Sequence, residues 1–213
     1  MIGLRAFNIV LVGKGFAVEQ VNAEDFSFNG SILTTGIKIP QVLQASVDEY
    51  VLQLLPDRFQ VQANASKATQ FRVQALVANS KLFVDEFASK RSILAVGHNF
   101  SGAFGSPVGD AAMYMGRIAW PSGMANALSS TAMPTLSWSA NYSRENDDAM
   151  ILVRLEPLAD DPARIFYDIN VSWGNPAAPS KLPVFDLLDR FSQSAETAAG
   201  IVDGLTDFGA REG

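Results

Sequence analysis

Cysteine is absent from all 213 residues. That excludes disulfides, thiolate metal sites and thiol nucleophiles, and it fits a cytosolic protein. Histidine occurs once, at His98. With one imidazole and no thiolate, zinc would need a carboxylate-rich site, and none is evident in the sequence. Neither a metal nor a cofactor is therefore expected. Charged residues make up 18% of the chain and the net charge is −6. No run of Lys and Arg offers nucleic-acid phosphates the basic surface they require, so nucleic acid is not an expected partner. No apolar run approaches the roughly 20 residues of a membrane span. Residues 9–12 form an apolar run too short for the core of a signal peptide. The expectation is a cytoplasmic protein with no membrane segment.

Apolar residues account for 48% of the chain, a globular composition. The stretch that organises it is 135–173. Leu136, Trp138, Ala140 and Tyr142 alternate with Ser137, Ser139 and Asn141. A polar break at 144–148 follows, and Ile151, Val153 and Leu155 resume the rhythm. After a second break, Ile165, Tyr167, Ile169, Val171 and Trp173 stand in one phase, with Asp168, Asn170 and Ser172 in the other. Period two sends successive side chains to opposite faces of a strand. Three such runs joined by short polar breaks read as an antiparallel meander with one buried face.

Upstream, Phe7, Ile9 and Leu11 mark a strand, Asn29-Gly30 is a turn signal, and residues 32–39 read as a short extended piece limited by Pro40, which has no N–H for a ladder. Residues 47–55 and 59–65 read as a hairpin around Pro56-Asp57, where proline presets φ and aspartate bonds the backbone beyond it. The period then changes. Val73, Leu76, Val77, Phe83, Val84 and Phe87 form a helical stripe, with Asn79 off it, and predict a helix over 68–88. Residues 91–100 return to strand rhythm. The segment 101–130, rich in glycine and small residues, reads as a connector. Leu187, Phe191, Ser194, Ala198, Ile201, Leu205 and Phe208 alternate steps of four and three and predict a second helix over 184–208.

The fold expected from these pieces is α+β. An antiparallel sheet, made of the hairpin plus the three-strand meander, lies under the two long helices. The chain reads as a single domain (1–213), with two related halves at 1–100 and 131–213 joined by the connector 101–130.

The order of pieces resembles a sporadically distributed, uncharacterised family of bacterial proteins. The residues that carry the resemblance are Leu55-Pro56-Asp57-Arg58-Phe59-Gln60-Val61, Gln70-Phe71-Arg72-Val73, Val96-Gly97-His98-Asn99-Phe100, Phe166-Tyr167-Asp168-Ile169-Asn170-Val171 and Leu187-Leu188-Asp189-Arg190-Phe191. The resemblance implies an α+β fold and carries over no functional residue.

The search for chemistry is short. His98 stands in phase with Leu94, Val96 and Phe100, which makes it a packed structural histidine. No Gly-x-Ser-x-Gly elbow accompanies it. The glycines of 97–109 match neither a P-loop nor a dinucleotide fingerprint. Glu145, Asp147 and Asp148 lack the loop of a calcium site and read as a solvated hairpin tip. Two function classes remain. The favoured one is a non-enzymatic interaction or assembly protein that self-associates or binds another protein through a sheet edge or a helix face. Uncharged runs at 135–143 and 59–65 mark the strands expected at the contact of a homo-oligomer. The alternative is a small-molecule-binding protein or hydrolase, with a pocket near the glycine-rich loop and His98, Asn99 and Ser101 as its ligand-binding residues.

Overall fold

The computed structural model describes residues 3–88, 93–119, 137–144, 147–174 and 182–211. A nine-stranded antiparallel sheet dominates it. The strands are β1 (Gly3–Gly13), β4 (Thr34–Ile39), β5 (Val42–Val47), β6 (Tyr50–Leu55), β7 (Arg58–Ala63), β8 (Ile93–Gly105), β9 (Trp138–Arg144), β10 (Ala149–Leu158) and β11 (Asp161–Gly174). Two further strands, β2 (Ser27–Phe28) and β3 (Ser31–Ile32), form a separate ribbon. The helices described are α1 (Gln70–Glu86), α2 (Ala111–Ala119), α3 (Val184–Asp189) and α4 (Phe191–Arg211). The strand order is β4-β5-β6-β7-β1-β8-β11-β10-β9. It reads alike outward from its middle: β1 is followed by the hairpin β7–β6, and β8 by the hairpin β11–β10.

Local chemistry accounts for the turns. Leu55 pairs with Arg58 across Pro56-Asp57. The carbonyls of Pro56 and Asp57 then accept the N–H groups of Phe16 and Gly13, which ties this turn to the end of β1. Asn29 and Gly30 both take positive φ, 57° and 83°, as a tight two-residue hairpin between β2 and β3 requires. Asp48 and Asp148 make the same left-handed excursion where β5 meets β6 and β9 meets β10.

The helices lie on one face of the sheet, and the core lies between. Under α1, Phe59 and Phe83 stack with ring centroids 4.0 Å apart, with Phe16 and Phe26 at their edges. Under α4, Phe191 meets Phe7, Phe100 and His98. Asn79, off the helical stripe by periodicity, is only 4% exposed. Its amide donates to the carbonyls of Ser27 and Ala75 and accepts the N–H of Ser27, so α1 holds the β2–β3 ribbon through a buried polar side chain.

The expected fold is corrected. The sheet is not a hairpin plus a meander roofed by two long helices. It has nine strands, and strand outweighs helix. The second predicted helix is broken at Arg190, whose N–H turns back to the carbonyls of Leu187 and Leu188 before α4 begins. The first helix is shorter at both ends than 68–88. The extended piece expected over 32–39 is the strand β4, exposed along its whole length and ending just before Pro40. Part of the segment read as a connector is ordered structure: β8 runs through to Gly105, and α2 follows. Residues 120–130 lie outside the described residues, as do Trp120, Thr135 and Leu136.

Candidate functional site

Strand β8 sits at the middle of the sheet, between β1 and β11, and carries the three residues singled out for ligand binding. The structure separates them. His98 points to the helix face and is fully buried. Its register partners are Ile9 on β1 and Val171 on β11. Its Nδ1 lies 2.9 Å from the Ser194 hydroxyl on α4, and its ring packs edge-on against Trp173 and Phe191. No described residue reaches its Nε2. Burial without a charged partner pushes its pKa down to about 3, so the imidazole is neutral at physiological pH. A neutral ring sealed from solvent can neither collect a proton from water nor meet a substrate.

Asn99 and Ser101 lie on the opposite face, where no described helix packs. Asn99 is the centre of a chain of amides across three strands. Its Nδ2 donates to Asn8 Oδ1 at 2.6 Å, and its Oδ1 accepts from Asn170 Nδ2 at 2.5 Å. Gly97 makes room for this: a Cβ there would sit 3.1 Å from the Asn170 amide nitrogen. The three asparagines come from β1, β8 and β11, and only the register brings them together. On β7 the same face carries Gln60, Gln62 and Asn64, linked by side-chain hydrogen bonds of 3.2 and 2.6 Å. This face is polar: beside the linked amides it carries Arg58, Asp168 and the Arg154–Glu156 pair.

The edges differ from it. The sheet ends at β4 on one side and β9 on the other. The β4 edge exposes Ile37 and Ile39 but carries three protective features: the bulge between Thr35 and Ile37, Lys38 within the strand, and Pro40 immediately after it. The β9 edge has none of these. Its residues from Trp138 to Ser143 carry no charge, and Tyr142 is 41% exposed. Its terminal charge, Arg144, is turned inward. The guanidinium binds Asp147 through two hydrogen bonds of 2.8 and 2.7 Å and reaches Thr197 on α4. Arg190 adds a third cationic contact to Asp147 at 3.1 Å. These arginines hold the Asp147 carboxyl below its ordinary pKa, so the pair stays ionised and engaged at neutral pH. The expected solvated tip is thus an anchor to α3–α4 at Asp147, while Glu145 lies outside the described residues.

No family model matches the chain, and no curated protein matches it. No residue's role is therefore carried in from elsewhere, and the geometry alone must speak. It brings His98, Trp173 and Ser194 together as core, and Asn8, Asn99 and Asn170 together as a surface ladder. Of the two runs expected at a subunit contact, 59–65 falls on β7, paired on both sides by β6 and β1 and closed to a further strand. The described part of the other, 137–143, falls on the edge strand β9, which pairs with β10 alone among the described residues. Among the described residues, no group of carboxylates and histidine is placed to hold a metal ion, and no helix is long and apolar enough to cross a membrane.

Sequence reasoning missed a second feature of the helix face. A cleft of about 640 Å³ opens beneath α4, beside the first turns of α1. Tyr167, Phe100 and Leu4 form its floor, contributed by three neighbouring strands. Alternation places Tyr167 on the packed face but carries no sign of where its hydroxyl ends.

Proposed function

We propose that this chain is a non-enzymatic assembly protein of the cytoplasm, and that it extends its sheet through the β9 edge onto a second copy of itself. The observation that carries the proposal is the contrast between the two edges. A row of unpaired backbone N–H and C=O groups templates another strand unless charge, proline or a bulge prevents it. The β4 edge has all three safeguards, and the β9 edge has none. Two β9 strands related by a two-fold axis pair antiparallel, which is the geometry of a closed dimer. Exposed Tyr142 and, on the adjacent strand, exposed Met150 flank that pairing with apolar surface.

Sedimentation at micromolar concentration tests this. The wild type is expected as a dimer, twice the 22.9 kDa chain mass. Asn141→Lys combined with Tyr142→Lys places two ammonium groups on each edge, so four meet across the axis, and the monomer is expected. A wild type that stays at 22.9 kDa throughout the concentration range overturns the proposal.

A further inference from the structure

Three tyrosines are fully or almost fully buried, and the chain satisfies two of them. The Tyr114 hydroxyl donates to the Leu205 carbonyl at 2.5 Å, and the Tyr50 hydroxyl accepts from the Asn29 amide at 3.1 Å. The third, Tyr167, is only 3% exposed, and its hydroxyl has no hydrogen-bonding partner among the described residues, but its oxygen is not sealed from solvent as His98 Nε2 and Trp173 Nε1 are. A phenol left free by the chain at the wall of a cleft is a donor open to water or to a ligand.

The cause of its position is visible in the register. Tyr167 pairs directly with Gly102 on β8. A Cβ at position 102 would lie 2.4 Å from the Tyr167 hydroxyl oxygen, so the phenol lies across the glycine, flat on the sheet. Its hydroxyl therefore ends on the floor of the cleft under α4. Burial raises its pKa to about 12, so the group is a neutral O–H donor at any working pH.

The rest of the cleft narrows the ligand. Leu4, Phe100 and Val73 give it an apolar lining. The α4 side bears Glu196 and Asp203, seven residues apart and so on one helix face. Both are exposed at the mouth. No lysine or arginine lines the cleft among the described residues. Its volume falls within the range of small-molecule sites, which pair apolar walls with a few placed polar groups. An anionic ligand would meet two carboxylates and no cation. We propose that this cleft binds a small amphiphilic amine. Its apolar ring rests on Phe100 and Leu4, an acceptor atom at its inner end takes the Tyr167 hydroxyl, and its ammonium lies at Glu196 and Asp203. Aromatic rings below and carboxylates above are the two surroundings that favour an organic cation.

Three matched probes test it by calorimetry on the full chain: 5-methoxytryptamine, tryptamine, which lacks the inner acceptor, and 5-methoxyindole-3-acetate, which reverses the charge. The expected order is 5-methoxytryptamine tightest, tryptamine about 5–10-fold weaker, as the loss of one hydrogen bond requires, and the acetate not measurable. Tyr167→Phe keeps the ring and removes only the hydroxyl. It should abolish the preference for the methoxy compound while leaving tryptamine unchanged, with no loss of thermal stability because no internal bond is broken. Glu196→Gln with Asp203→Asn should weaken both amines about tenfold and remove the salt dependence. No binding of 5-methoxytryptamine at millimolar concentration overturns the proposal. So does equal binding of the acetate, or a methoxy preference that survives Tyr167→Phe.

Discussion

His98 makes the stability of this protein depend on pH in a way that can be worked out from one residue. It is the sole histidine. In the folded chain its pKa is held near 3 by burial, and in the unfolded chain it returns to 6.5. A histidine with a depressed folded pKa binds its proton more tightly when unfolded. Its contribution is therefore fully present above pH 6.5 and is lost as pH falls from 6.5 towards 3. Between pH 7 and pH 4.5 the loss integrates to about 2–3 kcal/mol. For a domain of this size that lowers Tm by about 5–10 °C. The groups facing the ring are Ile9, Val171, Trp173, Phe191 and Ser194, and none of them titrates in this range. Elsewhere Asp168, its pKa raised by burial, acts with the opposite sign, while Glu49 and Asp147, both lowered, lose stability towards acid. These contributions persist in His98→Gln and cancel when the variant is compared with wild type. The assay is urea unfolding of both proteins at pH 7 and pH 4.5. The wild type should lose about 2–3 kcal/mol more than the variant over that interval, whatever their difference at pH 7. Equal losses refute the reasoning, as would an imidazole resonance that titrates near 6.5 in the folded protein.

Two further outcomes follow from packing and from the amide ladder. Trp173→Ala removes a side chain that is 3% exposed and packed on His98, and it should cost about 3–5 kcal/mol in chemical denaturation; a Tm within error of wild type would mean that β11 does not face the helices as described. Asn99→Leu cuts both links to Asn8 and Asn170, whose partly exposed amides can turn to water, so the expected loss is about 1–2 kcal/mol by urea midpoint, and no loss would show that the ladder adds nothing to the pairing of β1, β8 and β11.

What was legible in the sequence follows from how each element is solvated. The strand β11 lies between a helix layer and an open face, so it alternates cleanly, and its buried phase of Ile165, Tyr167, Ile169, Val171 and Trp173 is plain. The β6–β7 turn and the Asn29-Gly30 hairpin declare themselves through turn chemistry. The strand β4 has no buried residue, and within 32–39 the stop at Pro40 is its clearest sign. In the far half of β8, Gly102, Ala103 and Phe104 are buried in succession, which erases the alternation and makes the strand resemble a loop. Arg190 interrupts a helical face whose apolar spacing continues unbroken across it, so nothing in the periodicity marks the break. The proposed trio of His98, Asn99 and Ser101 carried its own difficulty: neighbours on a strand point to opposite faces, and reading 91–100 as a strand already separates His98 from Asn99. The Asn8–Asn99–Asn170 ladder and the Tyr167 hydroxyl over Gly102 depend on cross-strand register, which no single segment of sequence encodes.

The distribution of polar side chains also bears on how copies of this chain can meet. One face of the sheet is covered by α1, α2 and α4 and is not available. The other carries no described helix; there Asn8, Asn99 and Asn170 are linked to one another, as are Gln60, Gln62 and Asn64, and Arg154 is paired with Glu156. A surface whose amides are already paired gains little by exchanging those bonds for equivalent ones across an interface. Its large, well-exposed apolar side chains lie at or next to the sheet's two ends: Ile37 and Ile39 on β4, Met150 on β10. On β4 they accompany a lysine, a bulge and a proline. Beside β9 the nearest cation, Arg144, is committed to Asp147 and cannot turn outward without breaking a paired, charge-assisted contact that also anchors Arg190. The charge at the end of β9 is thus used to fasten the β9–β10 turn to the helices.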